Sequence, residues 1–209
     1  GTGQIRTNQF MGGANAQIWQ LREFKLALFC AGSGGPCALE FVPVSVKTNP
    51  FGELFDETFA DPRTIPFERT FVNQVRNLAE NDLNGFFNLI PDSFNAGQSN
   101  SQGLENDYTF HFDATSNFAR VLGQRLQQMG SPLRPDHLVR RSQAMSCAGC
   151  HELNNNAPAN DLGGGLHWPA SLGFVHVSEA QTEIVNGVEH FAISPALTDV
   201  FIPHREDVF

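Results

Sequence analysis

The sequence predicts an α+β fold, in which an N-terminal β-hairpin or small sheet precedes a mainly helical, loop-rich part. Three observations support this class. Apolar and polar residues alternate in two segments near the N-terminus, apolar residues recur at helical spacing in later segments, and stretches rich in Asn, Gly and Pro separate them. The chain has 209 residues, which is enough for one large or two small domains.

The two alternating segments are residues 17–29 and 37–48. Their connector, AGSGGP, is typical of a turn because glycine permits positive φ and proline fixes φ. Cys30 and Cys37 stand at the ends of this connector, where a hairpin would bring them close enough to form a disulfide. Two buried free thiols are the alternative. The polar, Gly-rich residues 1–16 are expected to form an irregular arm.

Helical spacing of apolar residues predicts three helices, over residues 64–83, 114–129 and 135–147. Asp113 or Thr115 is expected to cap the second. A shorter helix is expected from Ser194 through Phe201, with an interruption at Pro203.

The polar loop at residues 91–106 is the best candidate for a boundary between two lobes. It predicts an N-terminal β-rich region with one helix over residues 1–96. The rest, residues 107–209, would form the second region. One continuous domain is the alternative.

The charge balance excludes two classes of partner. Thirteen basic and 22 acidic side chains give a net charge of −9. Nucleic-acid binding and docking on an anionic membrane both need basic residues. No apolar run reaches the ~18 residues of a membrane span, and none is expected. Because the sequence begins with Gly1 rather than Met, we expect that a signal peptide or a longer N-terminal part has been removed.

The residues from Cys147 to His151 read Cys-Ala-Gly-Cys-His, the C-x-x-C-H pattern of covalent c-type haem attachment. Cys147 and Cys150 would form thioethers with the two vinyl groups of the porphyrin. His151 would be the proximal ligand of the iron. The small Ala148 and Gly149 would let the edge of the macrocycle lie against the chain.

Three other interpretations of the cysteine pair have less support. A redox dithiol of the thioredoxin kind needs a βαβ context, and none precedes the motif. A zinc site needs two more soft ligands at short spacing, but the other cysteines are more than a hundred residues away. An ordinary structural disulfide is the third alternative.

The sixth iron ligand is expected to be a histidine, because no methionine follows His151. His176 is favoured, since it lies in an extended apolar segment, Gly-Phe-Val-His-Val, where it could face the haem. His167 and His204 are the next candidates. The alternative for each is an ordinary core or surface histidine.

Other side chains are expected around the haem. Trp168, Phe174 and Phe191 are candidate walls of the pocket, and ordinary core positions are the alternative. Arg140 and Arg141 could pair with the haem propionates, although a solvated helix face is the favoured interpretation.

Several stretches resemble a family of uncharacterised exported bacterial proteins with a single c-type haem motif, which are cytochrome c-like. The stretches are GQIRTNQFM, WQLREFKL, VSVKTNP, SCAGCH, SLGFVHVS and ISPALTDVFIPHR. They are spread over nearly the whole chain, so the resemblance extends from its beginning to its end. The resemblance implies that Cys147, Cys150, His151 and His176 bind haem, and that the chain matches the C-terminal part of longer precursors.

The leading hypothesis is a periplasmic or extracellular cytochrome with one covalent haem c and bis-His ligation, which acts as an electron carrier rather than as an enzyme. A peroxidase-like haem enzyme with an open distal site is one alternative. A structural subunit held together by its haem, in a surface assembly or a conductive filament, is another. Expected partners are a redox protein, the chain's own N-terminal precursor region, or identical subunits.

Overall fold

The computed structural model describes residues 4–11 and 18–209 and confirms the α+β class, with an N-terminal sheet followed by helices. Its strands are β1 (Gln4–Met11), β2 (Ile18–Cys30), β3 (Cys37–Val44), β4 (Ser99–Asn100), β5 (Asp161–Gly163), β6 (Leu166–His167), β7 (Val177–Val185) and β8 (Val188–Ile193). Its α-helices are α1 (Thr64–Asn73), α2 (Val75–Leu78), α3 (Tyr108–His111), α4 (Asn117–Gln128), α5 (Pro135–Ala144) and α6 (Ile202–Val208). Short 3₁₀ turns span Gly52–Phe55, Asp92–Phe94 and Leu104–Asn106, and π-helical turns span Gly149–Leu153 and Leu197–Phe201.

The N-terminal sheet is antiparallel, in the order β1-β2-β3, and β4 pairs with the beginning of β2. The expected irregular arm is therefore wrong for residues 4–11, which form β1. Backbone pairing with β2, from Gln4 opposite Lys25 to Met11 opposite Ile18, stabilises this strand even though its sequence is mostly polar. The remainder of the expected arm, residues 1–3 and 12–16, lies outside the described residues.

The predicted disulfide between Cys30 and Cys37 is present, at the tip of the β2–β3 hairpin. The two residues are directly opposite each other in the strand register. Both are exposed, so the bridge joins the strands at a point where no core supports them.

The predicted helices are found with shifted ends. The first stops at Asn73, and after α2 the chain leaves helical geometry well before Leu83. The cap of α4 is Ser116, whose Oγ accepts a hydrogen bond from the Ala119 N–H at 3.0 Å. This cap lies one residue after Thr115, so the prediction of Asp113 or Thr115 as the cap is wrong.

The C-terminal part differs from the prediction in two ways. Strands β7 and β8 form a hairpin around Asn186-Gly187, both with positive φ. An Asn-Gly pair between apolar residues is a strong sequence signal for such a turn. The expected interruption at Pro203 is also wrong, because this proline lies in the first turn of α6, where a missing N–H breaks no helical hydrogen bond.

The main core lies between the helices. Side chains from both sides of the loop at 91–106 share it, among them Leu54, Phe67, Phe71, Leu78, Tyr108, Phe118, Leu122, Leu126 and Leu138. Phe55 stacks on Tyr108 inside this cluster, with ring centroids 4.6 Å apart. None of the described helices combines the length and the apolar character that crossing a membrane requires.

Arg141 is fully buried in α5, so neither expectation for it is right: it faces no haem propionate site and no solvent. Its guanidinium donates to four backbone carbonyl oxygens, those of Leu78, Glu80, Leu162 and Gly163, at 2.7–3.1 Å. It thereby joins the end of α2 and the β5 hairpin to α5, the helix that leads into the cysteine motif. Arg140 pairs with Asp136 and donates to the Asp161 carbonyl.

We expect Arg141→Met to lower the free energy of unfolding by about 3 kcal/mol, because three buried carbonyl groups and the partly buried carbonyl of Glu80 lose their charged donor. Urea denaturation followed by circular dichroism measures this loss. Arg134→Met is the matched control, since Arg134 lies on the surface beside the same helix. An equal loss in both variants would contradict the role given to Arg141.

Candidate functional site

A cleft of about 380 Å³ brings together the four residues predicted to bind haem. Cys147, Cys150, His151 and His176 all line it. The remaining lining residues are Arg6, Leu21, Thr48, Met145, Ser146, Leu197 and Phe201. Strand β1, the end of α5 and the C-terminal segment therefore meet at this place, although they are far apart in the sequence.

Hydrogen bonds hold the cysteine motif to the neighbouring structure. The Ser146 Oγ donates to the Gln143 carbonyl at 2.7 Å and accepts from the Gly149 N–H at 3.0 Å. The buried Ser99 of β4 accepts from the Ala148 N–H at 3.0 Å. The motif is thus fixed to the end of α5 and to the sheet.

The small residues inside the motif face the protein. Ala148 is fully buried, and Gly149 is buried against the backbone of Gln143. A Cβ atom added at Gly149 would lie 1.8 Å from the Gln143 carbonyl oxygen, so only glycine fits there. Close packing on the end of α5 is therefore a sufficient reason for the small side chains, and the expected contact with a macrocycle edge is not needed to explain them.

The imidazole of His151 is held in one orientation. Its Nδ1 lies 2.8 Å from the Phe174 carbonyl oxygen, and Trp19 stacks on its ring with centroids 4.3 Å apart. Because a carbonyl oxygen only accepts, Nδ1 carries the hydrogen and Nε2 keeps a free lone pair. Burial lowers the pKa of His151, which favours the neutral ring that a metal ligand requires.

His176 lies in the same cleft, beside the motif. Its Nδ1 is 2.8 Å from the Ser194 Oγ, and its Nε2 is 3.7 Å from the Cys150 Sγ. The ring centroids of His176 and His151 are 4.4 Å apart. Burial, and then the neighbouring His151, lower the pKa of His176 to about 4, so this imidazole is also neutral at physiological pH.

The two thiols of the motif are free and protonated. Burial raises the pKa of the Cys147 thiol to about 11. Burial, and then the neighbouring Cys147, raise the pKa of Cys150 to about 12. Cys150 is 6% exposed and packs against Trp168. Reactive redox thiols have a lowered pKa, so this environment disfavours a redox dithiol.

The other predicted site residues are dispersed. His167 is exposed on β6 and does not line the cleft. His204, also exposed, borders a neighbouring cavity of about 200 Å³ that shares Met145 and Phe201 with the cleft. The remaining candidate wall, Phe191, is 55% exposed on β8, so the prediction that it encloses a pocket is wrong.

Phe174 does lie at the site, where it packs against the small core cluster around Trp19. Three contributors, Trp19, Arg6 and Ser194, were not predicted. Arg6 is the cation at the cleft, and it pairs with the buried Glu23. No sequence pattern indicated Arg6 or Trp19, because both reach the site only through the pairing of β1 with β2.

Within residues 4–11 and 18–209, no group of three or more His, Cys, Asp or Glu side chains is arranged to hold a metal ion. A haem needs no such group, since the protein supplies only one or two axial ligands to its iron. Comparison with protein-family models, with curated proteins and with solved structures finds no match to this chain. The functional assignment therefore depends on the side chains of the cleft.

In folded polypeptide purified without a covalent cofactor, we expect the Cys147 and Cys150 thiols to react with a disulfide reagent at neutral pH at least about a hundredfold more slowly than in urea. Cys150 is buried, Cys147 is half-buried, and the pKa of both thiols is raised. Absorbance of the released thiol follows the reaction. Rapid reaction of the two thiols in the folded protein would show that they are reactive rather than protected, and it would favour a redox dithiol.

Proposed function

We propose that this protein is an extracytoplasmic c-type cytochrome that carries one covalently attached haem and transfers electrons. The observation that supports this best is the shared cleft. Cys147 and Cys150 are free there, and His151 lies beside them with its Nε2 lone pair unused. The chemistry of these donors matches that of a c-type haem, and their joint access to one cavity is the fit that the proposal requires.

The residues of the cleft have separate tasks in this proposal. Cys147 and Cys150 would hold the haem by thioether bonds, and His151 would bind the iron through Nε2. The hydrogen bond to the Phe174 carbonyl orients His151 and raises the basicity of its Nε2. Trp19 covers one face of the ring and excludes water from it. The haem, when bound, would supply a one-electron centre.

His176 is the proposed second axial ligand. If the hydroxyl of Ser194 accepts from Nδ1–H, the Nε2 of His176 keeps its lone pair, as a ligand must. The ring centroids of His176 and His151 are 4.4 Å apart, which is too close for one metal ion to be bound between them, so His176 would take this role only after its segment moves outward.

The β7–β8 hairpin, which follows His176, offers little resistance to such a movement, and the bonds that would have to adjust are those between His176 and Ser194. His176 immediately precedes β7, and the side chains of the β7–β8 hairpin are almost all exposed. The hairpin forms a separate two-stranded sheet, which pairs with no other strand of the described chain. A hairpin of this kind is only weakly stable by itself.

Two further observations agree with the proposed location and task. The disulfide at the hairpin tip is typical of proteins in an oxidising compartment. The net charge of −9 favours a redox partner with a basic surface, and association with it would weaken as salt is added.

We expect that, after expression with a haem-attachment system, the intact protein has the mass of the polypeptide plus one haem. Replacement of both Cys147 and Cys150 by alanine should abolish the added mass, because no thioether can form. The matched control replaces Cys30 and Cys37 instead and should retain the haem. Mass spectrometry of the intact proteins measures whether the haem is attached. A wild-type protein without added mass would overturn the proposed function.

We expect the wild-type haem iron to be six-coordinate and low-spin, as seen by electron paramagnetic resonance. His176→Ala should convert it to a high-spin form that binds carbon monoxide rapidly after reduction, because one axial position opens. His204→Ala and His167→Ala are the controls and should leave the spectrum unchanged. High-spin iron in the wild-type protein would instead favour the peroxidase-like enzyme.

A further inference from the structure

The N-terminal sheet has one apolar face that no other part of the described chain covers. Directly paired residues of antiparallel strands lie on the same side, and alternate residues lie on opposite sides. The register therefore places one set of side chains together, which we call the outer face: Ile5, Phe24, Leu26, Leu28, Leu39, Phe41 and Pro43. Leu28, Leu39 and Phe41 are 63%, 64% and 54% exposed.

The outer face differs from the opposite side of the same hairpin. The opposite side includes the charged residues Lys25 and Glu40, and toward its inner end it packs on the protein through Trp19 and Leu21. The outer face contains no charged residue, and on that side of the sheet the first charge, Arg22, comes after Phe24 toward the beginning of β2. Isolated exposed apolar residues are common on proteins, but a contiguous set on one rigid face usually marks a contact surface.

From this face, we propose that two copies of the chain associate by packing their outer faces together. A two-fold arrangement brings each face against an identical one, and sheets readily pack in this way about 10 Å apart. The chain has a net charge of −9, so two copies repel each other over most of their surfaces. The uncharged outer face is the place where the copies can approach without bringing like charges together.

The available area is sufficient for a specific but modest interface. Taking about 200 Å² for a whole large apolar side chain, the outer face offers roughly 500 Å² of exposed apolar surface. Two copies would therefore bury about 1,000 Å², which is the lower range for a specific interface. The disulfide between Cys30 and Cys37 supports this role, because it holds the exposed strands together before a partner is bound.

The proposal does not depend on haem, and it is tested on the wild-type protein as it is purified, with its cofactor if one is attached. Sedimentation velocity over a range of concentrations should show a monomer–dimer equilibrium. Leu28→Glu, and separately Leu39→Glu, should shift it to monomer, with at least a tenfold weaker association, because a carboxylate would be buried in the interface. Circular dichroism should show an unchanged fold, since both positions are exposed.

Phe29→Glu is the matched control. It makes the same kind of change on the neighbouring residue, which is 49% exposed on the opposite side of the sheet, so it should leave the dimer intact. A wild-type monomer at all concentrations would overturn the proposal, as would equal weakening by Phe29→Glu. Flotation of the monomeric protein with neutral phospholipid vesicles would also overturn it, because the outer face would then be a lipid-binding surface.

Discussion

The hydrogen bond from the His151 ring to the Phe174 carbonyl oxygen is the contact on which the arrangement of the site depends. It joins the cysteine motif to the C-terminal segment at 2.8 Å, while Trp19 stacks on the same ring from β2. One imidazole thus connects three parts of the chain. This hydrogen bond also leaves Nε2 unprotonated. The contact that organises the site therefore leaves a lone pair free for the proposed bond to iron.

The sequence was most informative about local structure. The alternation in β2 and β3 and the apolar spacing in α1, α4 and α5 are local patterns. Each element was predicted within a few residues, except that α1 ends ten residues before the predicted Leu83. Strand β1 was missed because pairing with β2, rather than its own composition, stabilises it. The β7–β8 hairpin was missed even though Asn186-Gly187 is a recognisable turn signal, because the spacing of Ser178 and Gln181 also matches a capping box, which is typical of a short helical turn.

The Ser178 side chain does make the hydrogen bond that a capping box would predict. The Ser178 Oγ accepts a hydrogen bond from the Gln181 N–H at 2.8 Å, as a helix cap would. The register of β7 shifts over the same residues, between Val177 and Thr182, so the contact forms an irregularity within the strand. The same hydrogen bond can therefore occur in a turn or in a bulged strand, and the sequence alone does not distinguish the two.

The site was predictable only in part, because a motif is local and a cleft is not. The spacing of Cys147, Cys150 and His151 predicted the proposed attachment of haem. The structure places these three residues and His176 in one cavity. Nothing in the spacing shows that Trp19 covers the ring, or that Ser194 contacts the second histidine. Those contacts join residues more than a dozen positions apart, and only the packing of the whole chain defines them.

The position of Arg141 has a consequence for the conditions under which the protein can remain folded. An arginine inside a protein is commonly neutralised by a carboxylate, and such pairs weaken in acid as the carboxylate gains a proton. Here the guanidinium is held by four amide oxygens, which neither titrate nor carry a net charge. The connection between α2, α5 and the β5 hairpin should therefore tolerate acidification.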